Sequence, residues 1–455
     1  MSRNTSRLAG NLSVSPGSFI LAKCELTATN GTVIDIKQLI SEITITESIY
    51  MASIDADLMI IDAVNLLEEL KLNGDEKIEL LIKRKELDTK DDEKHTHTFY
   101  ISEILDFSRI IPGTATYTMR CVSKHAYINN TLTLNESKQG TIGKIIKDIC
   151  ISNLGIKKEG LDIQESTNKN IKCIIPKLRP IAAIKWLNSN AYTSAGAPLY
   201  FFETLAGGVK YKSYEDFAAG KDIPTYNHTP VLDAEIGSPE YFAIASRRVR
   251  KISSDFNLSK YISISEGAFA STTSSIDIST KVYKPKAKEF KYDVKKFSTL
   301  NTHAPYPVRA NNDQYGGKEI NNIKTGKNYF ISSNSMAYGS SSFNYHAPVE
   351  ENISVGQSYL STEDTLTHDI VIAGNFKLEC GGLLDLKVNK TNPSDNEAHL
   401  DKMQSGKYLI SSIIHKFGNE YTQQLEIKTN SFASEMEDIL ELDEKPKKGT
   451  EVVST

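Results

Sequence analysis

The stretch His368–Val388, HDIVIAGNFKLECGGLLDLKV, decides how the fold of this chain is predicted. Its three glycines, with a histidine, a cysteine and acidic residues nearby, suggest at first a loop that binds a phosphate or a metal. However, Ile370 and Ile372 alternate before the first glycine, and Leu384 and Leu386 alternate after the glycine pair. Alternation with a period of two is typical of strands, whereas a phosphate-binding glycine loop lies between a strand and a helix. The stretch is therefore predicted to be strands joined by glycine turns.

An internal repeat links this stretch to the N-terminal part of the chain. GDEKIELLIK, from Gly74, precedes a polar loop, FYISEILDF and TYTMRCVS; GGLLDLKVNK, from Gly381, precedes a polar loop, YLISSIIHKF and EYTQQLEIKT. The aligned pairs are Ile101-Ser102 with Ile410-Ser411, Ile104-Leu105 with Ile413-Ile414, and Tyr117-Thr118 with Tyr421-Thr422. The leading glycine lies 27 residues (101 − 74) before the aligned isoleucine in one copy and 29 (410 − 381) in the other. Chance similarity between amphipathic hairpins is the alternative, but the shared order and spacing predict one β unit present twice.

Between the two copies the pattern changes. Apolar residues at helical spacing predict a helix over 142–154 and a second helix that begins at Pro180, and PLYFFETLAGGVKYKSY predicts a hairpin that turns at Gly207-Gly208. Alternation predicts further strands in EYFAIASRRVRKISSDFNLSKYISI, and Phe376 and Leu378, which alternate with charged neighbours, predict an extended segment. The predicted domains are a first tube-type β domain (1–123), an α+β module (124–215), a split second tube-type β domain (216–262 plus 365–432), a polar insertion (263–364) and a C-terminal tail (433–455).

Length and composition fit this multidomain prediction. The chain has 455 residues, which favours two to four domains, and its net charge of −4 does not suggest a protein that coats nucleic acid. The first residues lack the apolar core of a secretory signal, and no run of 18 apolar residues predicts a membrane helix. Its five cysteines are far apart, which favours free thiols in a protein made in a reducing cytoplasm.

At this point the chain resembles a known family. ITITESIYMASIDADLMIIDAVNLLEELKLNGDEKIELLI, AGNFKLECGGLLDLKVNK and GKYLISSIIHKFGNEYTQQLEIKTNSF resemble the baseplate hub protein of contractile-tailed bacteriophages of the T-even type. The resemblance extends to the N-terminal part of type VI secretion spike proteins, and RPIAAIKWLNSNAYTSAGAPLYFFE resembles the helix and hairpin of the hub's module. It implies a β-rich α+β fold, with two tube-type antiparallel β-barrel domains in one chain, an inserted α+β module and a long polar insertion.

The resemblance implies a structural role in the virion. Such hubs are trimers whose two tube-like domains per chain form a pseudo-sixfold ring, with edge strands that pair across subunits. The ring joins the hexameric tail tube protein to a trimeric spike or tail lysozyme protein, and baseplate wedge proteins and, as an open possibility, the tape measure protein are further partners. The implied location is the tail baseplate, after synthesis in the host bacterial cytoplasm, with no membrane partner and no direct DNA binding. A spike component of a type VI or related contractile injection system is the alternative.

Two groupings of histidine and cysteine residues are candidate metal-binding or catalytic residues only if they meet further ligands. His95 and His97 form an HxH pair on a predicted strand, but no third ligand is near in sequence, so a metal site is not predicted. His368, Cys380 and His415 would meet on neighbouring strands, and a buried thiol beside exposed histidines is the favoured interpretation.

Other groups also lack a clear catalytic or DNA-binding pattern. Arg247, Arg248, Arg250 and Lys251 form a basic run, but alternation divides them between two faces, which favours a solvated or subunit-facing patch over a DNA-binding stripe. The common hydrolase, nucleotide and zinc-protease motifs are absent, so no catalytic residue and no cofactor is predicted. A hydrolase or sugar-binding β protein with an unrecognised site is the second alternative. The acidic tail carries Ile439, Leu440 and Leu442, a candidate partner interface that orders on the spike or a baseplate neighbour, with a disordered terminus as the alternative.

Overall fold

The computed structural model describes most of the chain. The described residues are 16–84, 94–111, 113–164, 170–228, 238–257, 263, 265–278, 280–291, 297–303, 314–315, 318–319, 327–333, 347–390 and 400–434. The candidate interface at Ile439, Leu440 and Leu442 lies outside them.

The first β unit is formed by the first seven strands and a short helix. Its elements are β1 (Phe19–Thr27), β2 (Val33–Asp35), β3 (Ile40–Ser48), β4 (Asp55–Asp62), α1 (Leu66–Leu70), β5 (Lys77–Arg84), β6 (Lys94–Ile111) and β7 (Thr114–Ser123). In β4, and in β5 as far as Ile82, every second residue is buried, as their period-two patterns predict.

An α+β module follows. Its elements are α2 (Lys124–Asn129), β8 (Ser137–Gly140), α3 (Ile142–Ser152), β9 (Leu161–Ile163), β10 (Ile171–Ile174), α4 (Pro180–Asn188), β11 (Leu199–Thr204), β12 (Gly208–Ser213) and α5 (Tyr214–Ala218). Both predicted helices and the predicted hairpin are confirmed. The Thr141 side chain accepts a hydrogen bond from the Lys144 amide at the start of α3, and Pro180 occupies the first turn of α4.

The remaining elements include a second set of long strands. They are β13 (Thr225–His228), α6 (Pro239–Ser246), β14 (Val249–Phe256), β15 (Ala270–Asp277), β16 (Val282–Lys291), β17 (Gln314–Tyr315), β18 (Lys318–Glu319), β19 (Asn328–Ser333), α7 (Ala347–Thr362), β20 (Leu366–Ala373), β21 (Leu383–Val388), β22 (Gly406–Phe417) and β23 (Tyr421–Thr429). Strands β13, β14 and β20–β23 are called the second β unit.

Two local predictions are wrong. The EYFAIAS segment is helical in α6 rather than extended, because Ser238 caps the helix by accepting a hydrogen bond from the Tyr241 amide and Pro239 begins it. Residues 374–382 form turns rather than a strand. Phe376 and Leu378 are nevertheless buried, and they pack into two different cores, one in each β unit.

Thirteen strands form one continuous sheet. The strand order is β14-β20-β23-β22-β3-β4-β7-β6-β5-β1-β2, with β21 paired to β22 and β13 paired to β21. In the described part of the chain this sheet is open, so two separately closed barrels are not seen. Strand β22 pairs with β21 only as far as Leu409 and then, from Ser412, with β3 of the first β unit, which joins the two units into one sheet.

Strand register confirms the predicted internal repeat. The order β3-β4-β7-β6-β5 in the first unit corresponds to β14-β20-β23-β22-β21 in the second, with antiparallel neighbours throughout. Both units carry two matching bulges. One lies between Ile40 and Glu42 in β3 and between Val249 and Lys251 in β14; the other lies between Ile101 and Glu103 in β6 and between Ile410 and Ser412 in β22. Since bulges interrupt pairing at specific positions, their agreement shows the same unit twice.

The register also corrects the sequence alignment. Leu105 pairs with Thr118, and the equivalent Ile414 pairs with Gln424, so Thr118 corresponds to Gln424 rather than Thr422. The two-residue error arises because β6 has two further bulges after Leu105, one between Leu105 and Ser108 and one between Arg109 and Ile111, that β22 lacks. The two leading glycines are also not equivalent to each other. Lys77 pairs with Tyr100 and its equivalent Leu383 pairs with Leu409, so Gly74 is equivalent to Cys380, one position before Gly381.

Candidate assembly interface

The two β units are joined within the chain by strands β22 and β3. Six residue pairs connect Ser412–Phe417 with Ile43–Ser48, and they run from Ser412 opposite Ser48 to Phe417 opposite Ile43. Phe417 stacks on Tyr421 with ring centroids 4.2 Å apart, and both rings belong to the first unit's core. This contact, called the internal joint, is therefore a shared sheet and a shared hydrophobic core.

A fully buried carboxylate lies in the internal joint. Glu47 Oε2 accepts a hydrogen bond of 2.6 Å from the Leu205 amide of the module, and Oε1 accepts one of 3.0 Å from the Cys380 amide of the second unit. His415 Nε2 lies 3.7 Å from Oε1. Burial alone would raise the pKa of Glu47, but His415 and the two amides outweigh it and hold that pKa below its usual value. Glu47 thus connects the first unit, the second unit and the module.

The structure places the sequence-predicted histidines in separate surroundings. His95 stacks on Phe376 with ring centroids 4.9 Å apart, and His97 stacks on Phe99 at 5.3 Å. Burial lowers the pKa of His97. Within the described residues, no set of three or more His, Cys, Asp or Glu side chains is arranged to hold a metal ion.

The histidines expected to be exposed beside Cys380 are buried. His368 is hydrogen bonded through Nδ1 to Ser254 at 2.7 Å and through Nε2 to Tyr408 at 3.0 Å. His415 Nδ1 is 2.8 Å from the Tyr421 hydroxyl. Burial lowers the pKa of His368 to about 4. Each ring has a neutral partner, and this allows it to be buried.

The basic run is not one stripe. Arg247 ends α6, and Arg250, at the bulge of β14, forms a paired contact with the carboxylate of Glu420, with Nη2 3.2 Å from Oε2. Arg250 is thus used within the second unit.

One edge of β6 lacks a strand partner in its second half, whereas the equivalent edge of β22 is paired with β3. The N-terminal half of β6 pairs with β5, and from Glu103 onward the described residues pair β6 with β7 alone. Ile104 is 37% exposed and Phe107 is 50% exposed. In the second unit the equivalent edge, from Ser412, is covered by β3.

One edge of β14 lacks a strand partner, whereas the equivalent edge of β3 is paired with β22. In the described residues the edge of β14 from Lys251 to Phe256 that faces away from β20 has no strand partner, and Phe256 is 45% exposed. Because β14 corresponds to β3 and β6 to β22, the two open edges are the counterparts of the two edges that meet in the internal joint. Transferring the register of that joint places Ile104 opposite Phe256, where Ile413 lies opposite Glu47.

A cavity marks the open end of the first unit. It measures about 1040 Å³, and its lining includes Asp62, Val64, Phe107 and Arg109. Asp62 corresponds to Gly374 in the second unit by register. There the Tyr421 ring occupies the space that a side chain at Gly374 would need. The first unit contributes two contacts nearby, since the Tyr421 amide donates to the Gly17 carbonyl at 2.8 Å and Phe19 packs on Phe417 at 5.3 Å. Among the described residues, no equivalent contacts cover the cavity of the first unit.

Comparison with known proteins finds similar folds among solved structures. No family model matches the chain, and no curated protein matches it. Among solved structures, the tail protein from Neisseria meningitidis MC58 is similar with a TM-score of 0.52 at 9% identity, over 91% of this chain and 97% of that one. This chain has the fold of that tail protein.

Two more structures are similar to this tail-protein fold. The 43 kDa tail protein of prophage MuSo2 from Shewanella oneidensis has a TM-score of 0.47 at 10% identity, with 90% of this chain and 99% of that one covered. The Francisella PdpA–VgrG complex has a TM-score of 0.45 at 14% identity, with 92% of this chain and 54% of that chain covered. The predicted resemblance to tail proteins is confirmed at the level of fold by the Neisseria meningitidis tail protein.

Proposed function

We propose that this chain is the structural hub of a contractile tail baseplate. Three copies form a ring in which six β units alternate, and this pseudo-sixfold ring joins the hexameric tail tube to a trimeric central spike. The observation that carries the proposal is the internal joint, because its two edges have open counterparts on the same chain. A contact between β6 of one copy and β14 of the next would repeat the internal joint, and a repeated head-to-tail contact closes a ring when its rotation permits.

The chemistry of the open edges supports this contact. Ile104 and Phe256 are exposed large apolar residues, and the transferred register makes them direct cross-strand neighbours. Burying a Phe or Ile side chain contributes roughly 1.5–3 kcal/mol, and an aromatic cross-strand pair adds a few tenths or more. An exposed strand edge is also a liability for aggregation, which pairing with a second copy removes.

The further parts of the hub assignment rest on the resemblance and the fold. We propose the spike or tail lysozyme protein, the tube protein and wedge proteins as partners, the virion baseplate as the location, and no enzymatic activity. The tail residues Ile439, Leu440 and Leu442 remain a proposed contact with the spike or a baseplate neighbour. In the described residues no helix has the length and apolar character needed to cross a membrane. We also propose the tube-type domain boundaries 1–123 and 216–262 plus 365–432.

The mass of the purified chain tests the proposal. Analytical ultracentrifugation is expected to find a trimer, or a monomer that becomes a trimer when the spike protein is added. Electron micrographs of that trimer are expected to show six similar lobes around a channel. A chain that stays monomeric with the spike and cleaves peptidoglycan by itself would refute the hub and favour the hydrolase alternative. Isolation from an injection apparatus without a phage head would favour the type VI alternative.

A further inference from the structure

The turns that lead into β5 and β21 satisfy their amides in different ways. In the first unit the Asn73 and Gly74 amides donate to the buried carboxylate of Glu76, at 2.7 and 2.9 Å. In the second unit Gly382 occupies the position of Glu76, so no side chain is available there. The Cys380 amide instead donates to Glu47, which belongs to the first unit.

The edge strands β3 and β14 differ in a way that complements the difference between the two turns. Glu47 on β3 supplies the carboxylate that the second unit lacks. Phe256 holds the position on β14 that is equivalent to Glu47 on β3. In a contact between copies with the same register, Phe256 would face the first unit of another copy, where Glu76 already accepts hydrogen bonds from the turn amides. Each edge strand therefore carries the side chain that its own partner edge needs.

Exchanged partners would leave buried polar groups unsatisfied. If β3 met β6, Glu47 would be buried beside amides already bonded to Glu76, a second carboxylate. If β14 met β22, Phe256 would leave the Cys380 amide without its acceptor and His415 without its carboxylate neighbour. An unsatisfied buried donor or an uncompensated buried charge is costly, and such costs discriminate between partners.

We propose that Glu47 and Glu76 determine which strand each edge accepts, so that β22 takes β3 of its own chain and β6 takes β14 of the next copy. The inference rests on the proposed self-association and adds its specificity. The arrangement keeps the internal joint and the joint between copies from exchanging, although their backbones are equivalent. Ring assembly then has one permitted pairing rather than two.

Transfer of the carboxylate tests this specificity. Phe256→Glu places a carboxylate on β14, where Glu76 already occupies the turn amides of the next copy. It is expected to weaken trimer association at least tenfold in sedimentation equilibrium. Phe256→Gln, which is polar but uncharged, is expected to weaken it less. Ile174→Glu, at a 66% exposed position on the module, is the matched control and is expected to leave association unchanged.

The decisive variant combines Phe256→Glu with Glu76→Gly, which copies the arrangement of the internal joint. Association is expected to recover to within about threefold of wild type, because the new carboxylate can accept from the freed amides. Glu76→Ala repeats the test with a less flexible backbone. Circular dichroism melting of each variant monitors folding.

Two outcomes would overturn the inference while leaving the hub intact. One is wild-type association by Phe256→Glu. The other is a double variant no better than Phe256→Glu, although Glu76→Gly or Glu76→Ala alone still forms trimers. A wild-type chain that never self-associates, with or without the spike, would overturn the proposed function itself and the inference with it.

Discussion

Removal of the Glu47 carboxylate is expected to destabilise the whole chain. Glu47→Ala leaves the amides of Leu205 and Cys380 without an acceptor in a site that is 0% exposed. Each unsatisfied buried amide costs about 1–3 kcal/mol, so the expected loss is about 2–6 kcal/mol. That is a large share of the roughly 5–15 kcal/mol by which folded domains are stable.

Denaturant unfolding measures this loss, with two probes. Circular dichroism follows the sheet, and fluorescence of Trp186, the single tryptophan of the chain, follows the module. Because Glu47 connects the module to both β units, both probes are expected to shift to lower denaturant. Glu42→Ala is the control, since Glu42 lies on the same strand outside the joint and is half-buried. A change below about 0.5 kcal/mol for Glu47→Ala, or a shift in one probe alone, would refute the reasoning.

Three further predictions concern other parts of the chain. The stability that comes from neutral His368 is present above its unfolded pKa of 6.5 and is lost as the pH falls toward about 4. At about 1.4 kcal/mol per pH unit, the loss is about 3 kcal/mol. His368→Gln should flatten the dependence of the unfolding free energy on pH, and an unchanged slope would contradict this role of His368. Ile104→Lys should weaken trimer association at least tenfold without changing the melting temperature, whereas Ile174→Lys should not, and equal effects would argue against the open edge as the interface. Tyr200→Phe removes a hydroxyl donor from buried Glu363 and should lower the free energy of unfolding by about 1–3 kcal/mol, measured with denaturant. Tyr127→Phe, which removes an exposed hydrogen bond, should lower it by much less. The reverse order would contradict the role of burial.

Local patterns in the sequence predict the elements well. The repeat, α3, α4 and the β11–β12 hairpin all follow from short-range periodicity and from turn residues. The failure at α6 is also local, because Ser238 and Pro239 form a helix start that apolar alternation in the same segment obscured. The misalignment of Tyr117 arises from two bulges in β6, which short motifs cannot reveal.

The internal joint could not be predicted from the same patterns. The pairing of β22 with β3 depends on the geometry of two units brought together, and no local signal specifies it. One clue was present: Glu47 follows Ile43 and Ile45 on the inward-facing positions of β3, where a third apolar residue is expected. A charged residue at such a position requires buried donors, but the identity of those donors, Leu205 and Cys380, depends on the tertiary structure.

The separation in sequence across the internal joint has a consequence for synthesis. Ser412 lies 365 residues after Glu47, whose carbonyl accepts its hydroxyl hydrogen bond. At about 5–20 residues per second, a ribosome needs roughly 20–70 seconds to make the intervening chain. During that interval β3 has no partner from β22, and every nascent chain nearby offers the same bare edge. A chain truncated before Gly406 keeps that edge permanently, and it is therefore expected to aggregate during expression, whereas a chain that includes β22 covers the edge once that strand is made.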